Sequence, residues 1–252
     1  MIKKFLVAAL TAVVFASSAE ALSVKHDFTA FVGPFNASTA EFEYTLTKKS
    51  YAVRSVVRTN GTFGFLYPFE ANYYTGETSA YRYTSQSRFN KRSKVMIYNE
   101  DGQPVFAVSS KNGREKKKEI EATADSKNTT NLQTVLAAIA RQYNQVGFCD
   151  SRIPIFDGKR RFDAIFRDEG KEEIKANEYS AFAGRAAKCS MYIDKLGAEG
   201  DDLLWQLSSD RPIYFWILKD AASGAPFIAR VKINETPLGE MNVYTTKIEV
   251  KK

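Results

Sequence analysis

The chain has 252 residues, 26% of them charged and 44% hydrophobic, with a formal net charge of +7. That composition is globular and excludes collagen-like, coiled-coil and multi-span membrane classes, and the length suits one all-β domain of roughly 200–250 residues. Aromatics reach 13%, and such residues favour strands. A single His and two Cys exclude most metal and catalytic sites built from those residue types.

Met1–Ala21 has the grammar of a secretory signal peptide. Lys3 and Lys4 precede an apolar core, Phe5–Ala16, and Ala19-Glu20-Ala21 places small residues at −3 and −1. The core falls short of the ~20 residues that span a bilayer, and the longest later apolar run is only Ile213–Leu218. The expectation is a periplasmic protein cleaved after Ala21, with no integral membrane span and one β-rich domain over 22–252. Its positive balance suits anionic envelope surfaces; nucleic acid is not an expected partner in that compartment. Export also predicts a structural disulfide between Cys149 and Cys189. Two buried thiols or a redox pair are the alternatives, although the Cys-x-x-Cys spacing of redox pairs is absent.

Period-two alternation dominates the chain. Glu41–Thr47 sets Phe42, Tyr44 and Leu46 on one face and Glu41, Glu43 and Thr45 on the other, the pattern of a half-buried strand. Tyr51–Thr59 and Thr62–Tyr74 are predicted strands joined by an Asn60-Gly61 turn. Tyr81–Asn90 alternates Tyr81, Tyr83 and Phe89 with Arg82, Gln86 and Arg88. Lys94–Tyr98 and Gln103–Val108 form a predicted hairpin.

A charged connection over about 111–129, including KNGREKKK at 111–118, is expected to be a solvated loop or hairpin tip. One helix over about 131–146 follows, with an apolar stripe of Leu132, Val135, Leu136, Ile139, Ala140 and Tyr143. Thr130 and Gln133 have capping-box spacing, and Gly147 is placed to stop the helix. Strands resume at Arg160–Arg167, around Cys189–Ile193, and at Pro212–Leu218, which is apolar on both faces. Phe227–Ile233 and Asn242–Val250 read as a final antiparallel pair. The fold class predicted is mainly β, a curved antiparallel sheet or half-barrel with the helix packed against its concave face.

No catalytic constellation is recognisable, and no cofactor or metal is implied. His26 reads as a strand residue, exposed or half-packed, and no Gly-x-Ser-x-Gly or phosphate-loop pattern occurs. The carboxylate groups Asp168/Glu169/Glu172/Glu173 and Glu199/Asp201/Asp202 lack calcium-loop spacing, and neighbouring Gly170, Gly197 and Gly200 suggest hairpin ends. A carboxylate pair assembled by the fold is the one enzyme reading that remains. Cys149–Phe166 is the most distinctive segment. Arg160 and Arg161 within it are candidates for an anion contact, or for ordering a turn against Asp150 or Asp157.

The string Ile155-Phe156-Asp157-Gly158-Lys159-Arg160-Arg161-Phe162-Asp163 resembles a stretch of an exported bacterial family, domain of unknown function family 3108. Cys149 before it, Cys189 after it and a helix ahead of both are similar to the layout of that family's members. The resemblance implies a half-barrel like the periplasmic lipoprotein carriers, with a helix in the concave face, and it carries over no catalytic residues. The function expected is therefore non-catalytic binding or carriage of an apolar or lipid-like ligand. Phe42, Tyr44, Tyr81, Tyr83, Phe162 and Phe166 are the candidate ligand contacts. The alternative is an envelope protein that docks a protein partner through sheet edges and basic surface.

Overall fold

The computed structural model describes residues 21–47, 51–76, 80–99, 103–121, 126–156, 160–196, 211–236 and 239–251. Phe5–Ala16, Asp157–Lys159 and the Glu199/Asp201/Asp202 group lie outside the described residues. One antiparallel sheet of fourteen strands dominates them. Its first half is a meander: β1 (Leu22–Val32), β2 (Phe35–Leu46), β3 (Tyr51–Thr59), β4 (Phe69–Thr75), β5 (Ala80–Ser87), β6 (Lys91–Tyr98), β7 (Pro104–Lys111) and β8 (Arg114–Glu119). The second half runs inward from the opposite edge: β9 (Ser151–Phe156), β10 (Arg161–Ile174), β11 (Gly184–Lys195), β12 (Ile213–Lys219), β13 (Pro226–Thr236) and β14 (Gly239–Lys251). β14 pairs with β1, so the order is 8-7-6-5-4-3-2-1-14-13-12-11-10-9.

Among the described residues two helices interrupt the strands, α1 (Gly61–Leu66) and α2 (Val135–Val146), the latter preceded by a 3-10 turn at Leu132–Thr134. α2 touches β2, β13 and β9. In a flat sheet β2 and β9, seven strands apart, would stand about 34 Å from each other, whereas a twelve-residue helix is about 18 Å long. The sheet must therefore curl around α2, and it does so without closing into a barrel. Val135, Ala137, Ile139, Ala140 and Tyr143 of α2 are buried in one cluster with Val24, Tyr44, Phe162, Phe166, Met191 and Phe215. β12 buries residues on both faces, as its unbroken apolar run predicts.

Several local expectations need correction. Gly61–Leu66 is helical, so the strand expected over Thr62–Tyr74 begins only at Phe69. Asn60 accepts a hydrogen bond from Gly61 N instead of forming a tight turn. The charged run is the hairpin tip of the two alternatives, Lys111 and Arg114 pairing across an Asn112-Gly113 turn, but the connection expected beyond it holds the exposed edge strand β8. Gly170 marks a bulge within β10, where the register shifts between Asp168 and Lys171, and not a hairpin end. Leu132 is exposed in the 3-10 turn.

The capping box is absent as well. Thr130 Oγ1 lies 2.5 Å from Thr134 Oγ1. Gln133 reaches across to Thr75 Oγ1 at 3.1 Å and Ser55 Oγ at 3.3 Å, pinning the turn to β3 and β4. Gly147 does stop α2, in the left-handed region at φ 78° with its N–H on Tyr143 O.

Both sheet edges are blunted. β8 (REKKKE) carries a charge at every position, which disfavours strand addition. β9 holds Pro154, and its open side is met by Thr130, whose N–H bonds Pro154 O and whose carbonyl accepts from Phe156 N. Ile120 and Phe156 then pack together with Met96 and Ala107, linking the two ends of the curl.

His26 is fully buried, not exposed or half-packed. It stacks on Phe28 at 5.3 Å, and its Nε2 accepts from Ile228 N at 3.4 Å. Burial pushes its pKa down to about 4, against a smaller upward pull from the Phe42 backbone. The imidazole is thus neutral in the folded chain where an unfolded chain already binds a proton. Stability is complete above pH about 6.5 and falls by about 3 kcal/mol as pH drops to about 4. Urea unfolding across that window should show a steeper loss in the parent than in His26→Leu; parallel curves would contradict this account.

The outer face of the second half carries a cross-strand row, Lys188–Trp216–Arg230–Tyr244. The Arg230 guanidinium sits 5.1 Å from the Trp216 ring centre and 5.2 Å from that of Tyr244. Lys188 lies 5.5 Å from the Trp216 ring and 2.7 Å from Glu172, whose carboxyl that hydrogen bond holds below its usual range. Alternating cations and rings brace four strands.

Candidate functional site

The aromatic residues expected to line a ligand face lie mostly in closed core. Phe42, Tyr44, Phe162 and Phe166 are buried with α2 over the same face. The Tyr44 hydroxyl, its pKa raised by burial, donates to Pro226 O at 2.7 Å. Tyr81 packs on the Met96/Ala107/Ile120/Phe156 cluster. Tyr83 stacks on Tyr73 with ring centres 5.0 Å apart and donates to Ser85 Oγ at 2.7 Å. Burial pushes the Tyr73 hydroxyl pKa up to about 12.

The arginines of the distinctive segment face inward partners. Arg161 Nε donates to Asp163 Oδ1 at 2.9 Å, and Arg152 Nε binds the other carboxylate oxygen. Asp163 is 3% exposed, and Arg152 continues to Asp194 at 3.0 Å. These pairs tie β9, β10 and β11 together. Asp150 serves elsewhere, accepting from Asp168 N at 3.0 Å, while Arg160 is half-buried just ahead of β10.

Cys149 and Cys189 stand at disulfide distance, with Cα atoms 6.0 Å apart. The pair joins the exit of α2 to β11 beside the β10 bulge. Cys189 is opposite Asp168 in the register, and the Asp168 carboxylate accepts from Cys149 N at 3.2 Å.

The open site lies on the other side of the sheet. A groove of about 770 Å³ spans β3 to β7 on the face turned away from α2 and reaches over the strand ends. Its floor is one cross-strand row, Asn72–Thr84–Ser93–Ser110. Antiparallel register aligns these residues because each strand contributes an outward position between two inward ones. Arg58 forms one flank and is neutralised by Glu41 at 3.2 Å and Glu70 at 3.0 Å. Hydrogen bonds hold both carboxyls below their ordinary range, from Lys25 and Arg58 to Glu41 and from Asn72 and Arg58 to Glu70. Arg88, Lys91 and Arg92 form the other flank and enter no ion pair among the described residues. The groove is therefore a hydroxyl- and amide-floored trough with one cationic wall.

Its lining holds no His or Cys, and its one carboxylate is engaged by Arg58. Among the described residues no group of three metal-ligating side chains occurs. Sequence reasoning missed this groove because its floor comes from four strands with no shared motif. The available signal was the cationic stretch Arg88-Phe89-Asn90-Lys91-Arg92 at a turn.

The family model for the protein of unknown function family DUF3108 matches residues 27–246, most of the chain. The chain belongs to DUF3108. No curated protein matches it. Within this DUF3108 chain the match runs from β1 into β14 and so covers the groove, the bridge and the Arg161–Asp163 pair.

Proposed function

We propose that this DUF3108 chain is an exported, non-catalytic binding protein of the periplasm that seats an oxyanion in the groove between β3 and β7. The ligand class is a phosphate-type anion, free or as the head of a lipid-like molecule. One observation carries the reading: Arg88, Lys91 and Arg92, in no ion pair among the described residues, line a trough floored by neutral hydrogen-bonding side chains. Such a site supplies charge-assisted hydrogen bonds to an anion and neutral ones to its polar body. The inner aromatic face is covered by α2, which is buried against Tyr44, Phe162 and Phe166. Anion carriage is thus better supported than carriage of a wholly apolar ligand.

Calorimetric titration with glycerol phosphate and with a monomeric short-chain phosphatidylglycerol tests the reading. Both should bind with salt-sensitive affinity, and Lys91→Ala with Arg92→Ala should weaken each at least tenfold. Binding of the lipid alone would identify a headgroup as the source, and binding of both a free phosphate ester. No binding of either, or equal binding by the variant, overturns the assignment.

A further inference from the structure

α1 is a helix that buries nothing. Short helices owe their stability to packing, yet Gly61–Leu66 is held by hydrogen bonds to Asn60 and Thr59 and by close backbone approach. Asn60 N–H bonds Ala37 O, Gly61 abuts the Asn36 carbonyl, and Gly64 abuts that of Thr59. Thr59 Oγ1 closes the loop by donating to Tyr67 O and accepting from Phe69 N. The apolar side chains are left outside: Phe65 is 84% exposed, Tyr67 65% and Leu66 51%.

They have company. The meander places the β1–β2, β3–β4, β5–β6 and β7–β8 connections at one end of the sheet. Phe35, 58% exposed, stands where β2 begins, and Phe89, 73% exposed, at the β5–β6 turn. The same end carries Arg88, Lys91, Arg92, Lys111 and Arg114, none of them in an ion pair among the described residues. Scattered exposed apolar residues are ordinary, but five large ones on three connections, interleaved with five cations, make a patch that demands a partner.

We propose that this rim docks the protein on the surface of an anionic lipid bilayer. The aromatic and leucine side chains enter the boundary between headgroups and acyl chains, and the cations meet lipid phosphates. Two features select a bilayer over a protein surface. Knobs carried on separate connections need a partner that conforms around each one, as fluid lipid does. Aromatic side chains beside Lys and Arg also form the pairing that the two layers of a membrane interface reward. Neither signal suffices alone, so the attachment is reversible and salt-sensitive. The proposal shares Arg88, Lys91 and Arg92 with the groove reading, whereas Phe35, Phe65, Leu66, Tyr67 and Phe89 do not line the trough.

Vesicle flotation tests it, using phosphatidylcholine alone and phosphatidylcholine mixed with phosphatidylglycerol. The protein should float with the mixed vesicles only and be released by salt. Phe65→Ser combined with Leu66→Ser should lower vesicle affinity about tenfold or more. The thermal midpoint should not move, since α1 buries nothing. Lys91→Ala with Arg92→Ala should also lower it, by roughly fivefold for each charge.

Glycerol phosphate binding by the Phe65→Ser, Leu66→Ser protein separates the two proposals. Vesicle loss with retained phosphate binding supports the rim as the docking element. Vesicle binding unchanged in that variant overturns the rim proposal, whatever the groove does. Failure of the parent to float with either vesicle overturns it too, and leaves the patch to a protein partner.

Discussion

Replacing both cysteines, as Cys149→Ser with Cys189→Ser, is expected to lower the unfolding free energy by about 4 kcal/mol. The estimate is the loop-closure entropy that a cross-link spanning 40 positions removes from the unfolded chain. The position of the bridge adds a second expectation. Cys149 follows α2 directly, so the bond holds the exit of the helix against β11 and the Asp168 bulge. Loss of the bond should free α2 before it frees the sheet. Urea unfolding with and without reductant gives the first quantity, and amide exchange in α2 against β12 gives the second. Coincident unfolding curves in oxidised and reduced protein would show that the bridge contributes little beyond the packing of two small buried side chains.

Asp163→Ala has the other large effect, a loss of about 3–5 kcal/mol. Asp163 is almost fully buried and receives Arg161, itself only 16% exposed. Removing the carboxylate takes from that guanidinium its Asp163 partner in a low-dielectric site, where desolvation is then less offset. Arg152 is half-exposed and can turn to water, so Arg152→Ala should cost under about 1 kcal/mol. Replacing the pair together, Arg161→Met with Asp163→Leu, should recover most of the loss. A double-mutant cycle on Arg161 and Asp163 that closes additively would contradict the coupling.

Where one strand face is buried, sequence alone located the element. Phe42, Tyr44 and Leu46 of β2 and the two-sided run of β12 lie as their alternation predicts. The α2 stripe was equally readable, because Val135, Ile139, Ala140 and Tyr143 recur with the helical period. α1 was not: Phe63, Phe65 and Tyr67 alternate like a strand, and only the backbone fit of Gly61 and Gly64 against neighbouring carbonyls makes them helical. β8 escaped for the opposite reason, since a fully charged edge strand buries neither face and shows no period.

The candidate site was least legible. Burial sends inward the aromatic residues that stand out in a sequence, so Phe162 and Phe166 signal core. The groove floor is written in Asn72, Thr84, Ser93 and Ser110, each unremarkable until register aligns them. The segment around Arg161 and Asp163 was conspicuous and matches the family, yet its arginines tie strands together.

The pairing of β1 with β14 bears on how the chain comes to be folded. Ser23 lies opposite Lys251, so the centre of the sheet joins the two most distant parts of the described chain. Neither half can satisfy its inner strand until the other is present, and long-range pairing of this kind is slow. A chain made from its N-terminal end would therefore have β2 on one edge of β1 while the other edge stays open until β14 has emerged. The topology itself defers completion of the fold to the last strand made, and until then it leaves β1 as a strand in need of a chaperone's cover.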